Sequence, residues 1–519
     1  MTHSLKTNII KKIVVILKYG CEEKREDVRW QRRRLIRTFC LKMKGRKVVE
    51  ITKSKTRSRI FLFLNVFILC HPILDVLTSL ATRIGLPITP GVVIRTLFMG
   101  IGFLYVLFVS EFKHKKICVT YLIAVTVYCG LFIINMYRMG GLGYAVGNFP
   151  ELIKAFYFPY IAVTFYAVYC HLGYRVSDKI LALVVFQYVF IIFIGFITGT
   201  GYAAYSNGRG AIGWFYAGNE VSGIVSILTP VAMLFAFKIL SGKSDKKPSV
   251  PLKVFSVLMI LFCCFGACYV GTKVAFITVT VYVACCIIWG IVAWFTNKTK
   301  ANAIVLVVSF VTCIIMIGSY FVSPLRANID TVMKPTLQDI QDEGEDEPDE
   351  EEIPIDGLIY PEFQSSKLYK VLNAVMSNRI YFSLPTVKEY DESGIITKIL
   401  GIGYQNLPSY ENSIEKAIEI DVLAFFCRHG IVGTALMYVP IISCLVYIII
   451  KFFKKFKENF ASLSCCTYFY ALIMAVAIST FTGHTLVAPA VSIYVAILFV
   501  NMFIREKNES LKKEEMTSV

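Results

Sequence analysis

Charge is what this chain has little of. Of its 519 residues, 17% are Asp, Glu, Lys or Arg, where a soluble domain carries about 25%. With 56% of the residues hydrophobic, that shortage excludes a disordered chain and an ordinary soluble enzyme. Metal-ligand spacing is missing from the sixteen cysteines, and there is no Walker loop and no paired-carboxylate motif on a soluble domain. No metal or cofactor is therefore expected. Most cysteines lie inside apolar runs, as in Cys263-Cys264, Cys285-Cys286 and Cys465-Cys466. They read as small packing residues, which excludes a disulfide scaffold. A cleavable signal is not evident: the stretch Ile9 to Leu17 is short and interrupted by Lys11-Lys12.

What the chain does have is long apolar runs. A bilayer-spanning helix needs about 20 mostly apolar residues. Twelve runs qualify, at about 60–82, 92–110, 117–136, 151–170, 180–198, 217–237, 254–270, 274–295, 303–323, 431–450, 461–481 and 486–504. The expected fold is an all-α polytopic membrane protein of about 12 transmembrane helices. His71-Pro72 breaks the first and Pro159 the fourth, which a bundle tolerates when neighbours satisfy the freed backbone.

The net charge of +18 then has an address. Lys and Arg favour cytoplasmic loops. With the N-terminus inside, 39 of the 54 basic residues fall on cytoplasmic segments, 19 of them in residues 1–59. A basic cytoplasmic segment 1–59 is thus expected to lie on anionic lipid. A nucleic-acid surface is not expected. Helices 1–9 follow over 60–323, a long outer loop over 324–418, helices 10–12 over 419–504 and a cytoplasmic tail over 505–519. Both termini are expected inside. The loop divides in two: 339–356 holds 11 acidic residues and reads as disordered, whereas 363–407 has helix-like apolar spacing and reads as folded.

Most spans are free of charge, and the unusual ionisable groups gather at the outer ends. Arg209 precedes helix 6, Lys273 lies in the short turn Gly271-Thr272-Lys273, and Arg379 lies in Ser377-Asn378-Arg379 of the loop. Glu419 and Asp421 stand at the entry to helix 10. Lys154, near the start of helix 4, can snorkel outward to join them. Arg and Lys can clamp a pyrophosphate and stabilise its charge as it departs. A carboxylate beside them can take a proton from an attacking hydroxyl. Glu419 and Asp421 also suit a plain helix N-terminus. His71, His429 and His484 read as helix-end or packing residues.

These residues resemble the O-antigen ligase and O-antigen polymerase family of bacterial membrane proteins. The carrying segments are Arg209 to Asn219, Gly271-Thr272-Lys273, Ser377-Asn378-Arg379, the Leu400-Gly401-Ile402-Gly403 turn, and Glu419-Ile420-Asp421 leading into Arg428-His429-Gly430 and Gly433. Cys70 to Asp75 and Pro90-Gly91 have the look of Gram-positive members. The likeness covers about 60–504. It implies a GT-C-like fold and metal-independent glycosyl transfer at the outer face of the cytoplasmic membrane, from a glycan on undecaprenyl pyrophosphate. Arg379 matches the family's loop arginine, Arg209 its arginine before the glycine-containing turn, and Lys273 a frequent arginine. The histidine that many ligases carry eleven residues before the first glycine of Gly430-x-x-Gly433 is absent. Glu419 stands there, so Glu419 or Asp421 is expected as the base, and a polymerase-type or Gram-positive relative is favoured over lipid A ligation.

The leading expectation is polymerisation or ligation of lipid-linked oligosaccharides for a capsule, exopolysaccharide or O-antigen. Arg209, Lys273, Arg379 and Lys154 would bind pyrophosphate, and Arg379 would also serve the chemistry. The expected partners are the lipid-linked glycan, the bilayer and other polysaccharide-assembly proteins. The rival is a flippase for the same lipid-linked oligosaccharides.

Overall fold

A computed structural model describes residues 57–86, 88–205, 208–242, 247–326, 360–364, 366–376, 379–404 and 420–517, with side chains described as far as residue 504 except at 374 and 375. The acidic run 339–356, most of 1–59 and Glu419 lie outside the described residues. Contacts divide the chain into residues Met1–Leu64 and Asn65–Val519. Of the first unit, the described residues 57–64 are helical. Everything below concerns the second.

That unit is a helical bundle with one two-stranded hairpin among its described residues. His71–Arg83 and Pro90–Leu104 lead into Lys115–Ala155 and Tyr157–Leu172. Asp178–Thr198 is followed by the hairpin of Tyr202–Ala203 and Ala211–Gly213. Gly218–Leu240, Val250–Tyr269, Lys273–Thr296 and Lys300–Val322 come next. Short helices Pro361–Gln364, Lys367–Val375, Arg379–Glu392 and Ile395–Leu400 precede Asp421–Lys454, Phe456–Ala461, Leu463–Phe481 and Pro489–Thr517.

The core sits around Gly218–Leu240. Of its most apolar window 89% is buried, against 22–44% for the other long apolar helices. It packs on Asp178–Thr198, Val250–Tyr269, Lys273–Thr296 and Leu463–Phe481. The outer helices instead show apolar side chains such as Phe108, Ile134 and Phe295, as a surface in contact with lipid does.

Nine helices among the described residues are long and apolar enough to cross a membrane, or ten if a bent pair counts as one. The expected count of twelve is not reached among the described residues, for physical reasons. The first run bends by 45° between Leu69 and His71, because Pro72 supplies no backbone donor there. The fourth run is cut short: Lys115–Ala155 continues through the expected outer turn, breaking at Gly141 (φ 75°, ψ −167°), and a new helix of 16 residues starts at Tyr157. Lys154 thus ends one helix and does not begin the next. The last apolar stretch is Pro489–Ile504. The tenth run starts ten residues earlier than its hydropathy suggests, at Asp421, and breaks at Gly430 (φ 63°, ψ −169°).

Bonds between loops show which termini share an end. At one end Asp178 accepts from Lys238 (2.5 Å) and Tyr468 (2.7 Å), and Trp289 donates to the Phe460 carbonyl. The other end, the loop end, gathers residues 83–86, 88–90, 141–156, 199–205, 208–217, 270–273, 395–404, 421 and 482–490.

Candidate active site

Two glycine-containing motifs interlock at the loop end. At Gly430 the helix Asp421–Lys454 changes direction, which frees the carbonyls of Cys427 and Arg428 from their helical partners. The Leu400–Gly403 turn takes them: Ile402 N–H donates to the Cys427 carbonyl and Gly403 N–H to that of Arg428, both at 3.1 Å. Arg428 Nη1 returns a bond to the Gly403 carbonyl (2.8 Å). Asn135 and Tyr144, from the Lys115–Ala155 helix, hold the carbonyls of Gly401 and Ile402. Gly401 has φ 104°, and a Cβ on it would collide with the Arg428 carbonyl. The turn is therefore a plug between two broken helices, and it presents Tyr404 and Arg428 on one side.

That side faces a cavity of about 840 Å³. Its acidic, basic and histidine lining comes from six separate segments: Asp75, Arg95, Glu151 with Lys154, Glu220, Arg428 and His484. Asp75 and Arg95 form an ion pair within the spans, with side chains 11% and 9% exposed. Tyr188 donates its hydroxyl to the second Asp75 oxygen, and the buried His71 ring lies 3.5 Å from Arg95 Nε. Lys154 pairs with Glu151 at 2.6 Å, both 37% exposed. Glu220, in the first turn of Gly218–Leu240, lies where the charges of Asp75, Arg95, Lys154 and His484 all act on it. Tyr404 donates its backbone N–H to Asn148 Oδ1 and shares its hydroxyl with His429 Nε2 (2.8 Å). Burial and the Glu151 charge push the Tyr404 phenol above its ordinary range, against the pull of Arg428. Behind Arg428, the carboxyl of Glu389 is 8% exposed and is also raised by burial, again opposed by Arg428.

His484 enters this cavity on an unusual backbone. Its φ of 55° is the single positive value at a non-glycine among the described residues, a conformation that costs an L-residue about 1–2 kcal/mol. Asp421 holds it there. One carboxylate oxygen accepts from the His484 N–H (2.6 Å). The other accepts from the N–H groups of Thr485 (2.9 Å) and Leu486 (3.0 Å) and from Ser479 Oγ (2.9 Å). Asp421 is 2% exposed and does not line the cavity. Asp421→Asn turns an amide N–H toward these donors, and unpaired buried donors cost about 1–3 kcal/mol each. Thermal unfolding in detergent is expected to show a clearly lower midpoint; an unchanged midpoint would contradict this arrangement.

Of the residues singled out in the sequence, Lys154 lines the cavity and Asp421 stands behind its wall. Arg209, Lys273 and Arg379 form a neighbourhood of their own. Gly210, next to Arg209, packs against the Val270 carbonyl, so the hairpin tip sits beside Gly271-Thr272-Lys273. Thr272 caps the helix that Lys273 begins, and Arg379 lies close enough for its charge to act on Lys273. None of the three lines the cavity. His429 is fully buried among the rings of Phe132, Phe156 and Phe425. From sequence, Asp75 and Arg428 stand only inside family-like segments, His484 reads as a helix-end or packing residue, and Glu220 and Tyr404 are not singled out. For Asp75 and Arg95 the signal was present, since ionisable groups inside apolar spans are rare and mark functional sites. For His484 no local signal existed.

No curated protein matches the chain. A family model described as O-antigen ligase like membrane protein matches residues 57–509, which include every cavity residue. The chain is thus a member of the O-antigen ligase-like family of multi-pass membrane proteins.

Proposed function

We propose that the cavity is where a glycan passes from a polyprenyl pyrophosphate to an acceptor hydroxyl, at the outer face of the cytoplasmic membrane. The product would be a capsule, exopolysaccharide or O-antigen, made by polymerisation or by ligation. Membership of the family implies a glycosyl-transferring enzyme acting on a lipid-linked glycan. The observation that carries the finer reading is the convergence of Arg95, Lys154 and Arg428, from three different helices, on one cavity at the end of an apolar bundle. Undecaprenyl pyrophosphate is the donor this reading assigns, with no metal needed.

Each cation has a distinct part. Arg95 is tied to Asp75 and fixes a positive wall. Lys154 is held by a half-exposed pair three residues along its helix; such pairs contribute little, so its ammonium is free to turn to a phosphate. Arg428 is anchored by one nitrogen to the Gly403 carbonyl and keeps its other donors for the leaving group. The acceptor oxygen attacks the anomeric carbon, the bond from that carbon to the phosphate oxygen breaks, and the departing charge falls on these cations. The Arg209, Lys273 and Arg379 neighbourhood is a second cationic contact at the same end, for the lipid phosphate on its approach.

Glycan chain length in cells tests this. Lys154→Ala and Arg428→Ala are expected to reduce long polymer to single repeats at normal protein level, a loss of about 100-fold for a donor to the developing charge. Full-length polymer in both variants would sink the cavity assignment. Loss confined to Arg209→Ala and Arg379→Ala would move the donor site to the second neighbourhood. A flippase is the second reading, favoured by the Asp75–Arg95 pair inside the spans. Single repeats accumulating in the outer leaflet of deletion cells support the transferase; trapping in the inner leaflet supports the flippase.

A further inference from the structure

We propose that His484 is the catalytic base of this site and that Asp421 is its positioning residue. The inference rests on the cavity being the place of glycosyl transfer, and it assigns the proton that the cations do not handle.

Three observations lead to it. The imidazole lines the cavity, and no described residue hydrogen-bonds its ring. Its backbone is held in the left-handed region, where non-glycine residues persist only if their surroundings over-determine them. That over-determination is visible: Asp421 spends both oxygens on four donors, three of them consecutive backbone N–H groups at 484–486. A carboxylate bound to four donors, 2% exposed and off the cavity lining, does not meet an acceptor hydroxyl. Its effect is to fix the turn that carries His484.

The electrostatic surroundings suit the role. Glu220 faces His484 from the Gly218–Leu240 helix, Asp421 lies behind it, and Arg95, Lys154 and Asp75 act on Glu220 from the other walls. The step balances without a co-reactant. The neutral imidazole takes the acceptor hydroxyl's proton as its oxygen forms the bond to the anomeric carbon. The pyrophosphate leaves with the electron pair, and the imidazolium later returns the proton to water.

The test uses the full chain in lipid nanodiscs, with lipid-linked oligosaccharide as donor. His484→Gln is expected to lower kcat by roughly 100-fold or more, with the KM for the donor unchanged. His484→Ala is expected to lose as much and to regain activity with added imidazole, which the vacated space admits. Asp421→Asn is expected to lower kcat with donor KM held. If that variant fails to fold, imidazole rescue of His484→Ala still decides. Activity of His484→Gln within about threefold of wild type would overturn the proposal. Loss in both His484 variants with no imidazole rescue would overturn it too, since the residue would then be structural. A wild-type protein that transfers no glycan at all would instead defeat the functional reading beneath it.

Discussion

Gly430→Ala is expected to destroy the site and much of the protein's stability together. Gly430 has φ 63° and ψ −169°, a region essentially restricted to glycine. A Cβ there would lie 2.6 Å from the Gly401 nitrogen and from the carbonyl of Ile399, both backbone atoms that cannot swing aside. Backbone strain of about 1–3 kcal/mol and overpacking of about 1–3 kcal/mol add to the loss of the bonds that Ile402 and Gly403 make to the helix break. The Leu400–Gly403 plug would come out, and Tyr404 and Arg428 would lose their places. Fluorescence-detected size exclusion and thermal unfolding should show a poorly folded variant, and cells carrying it should make no polymer. Wild-type melting would show that the interlock is not what shapes this end. Gly433→Ala is a useful neighbour: its Cβ would meet side-chain atoms of Tyr128 and His429, on an ordinary helical backbone, so a smaller loss is expected.

Arg95→Leu is the second large effect. The pair with Asp75 sits inside the apolar bundle with both side chains nearly buried. Removing the guanidinium leaves a carboxylate with the Tyr188 hydroxyl as its remaining hydrogen-bond partner among the described residues. An uncompensated buried charge of this kind costs about 3–5 kcal/mol. Low protein yield and a steep fall in the unfolding midpoint are expected. Adding Asp75→Asn should restore most of the stability, because the amide oxygen can still accept from Tyr188 and no charge remains. The double variant therefore separates folding from function. It is expected to fold and still to lack glycan transfer, since the positive wall is gone. A single variant as stable as wild type would mean that water reaches Asp75 freely.

The bundle was legible because crossing a membrane imposes a length and an apolarity that any sequence must display. Where the described helices differ from the expected runs, local backbone chemistry intervenes. Gly141 lets one helix turn and run on through an expected loop, and the short helix from Tyr157 cannot be separated from it by hydropathy. The site was legible in part. Leu400–Gly403 and Arg428–Gly433 stood out as motifs, yet nothing in either says that one fills the gap in the other. Lys154 drew notice as a charge beside a span. Asp421 also drew notice, as a carboxylate able to act on a proton, where its hydrogen bonds cast it as a holder of backbone.

By itself the sequence determined an all-helical membrane protein, its apolar runs and the order of motifs that mark its family, since hydropathy and glycine placement are local properties. Only the tertiary structure decided which charges face one another. Asp421 and His484 are 63 residues apart and meet through a backbone hydrogen bond, and the cavity's acidic, basic and histidine groups come from six segments of the chain. Such meetings follow from helix packing, where each contact depends on the angle and register of elements distant in the chain.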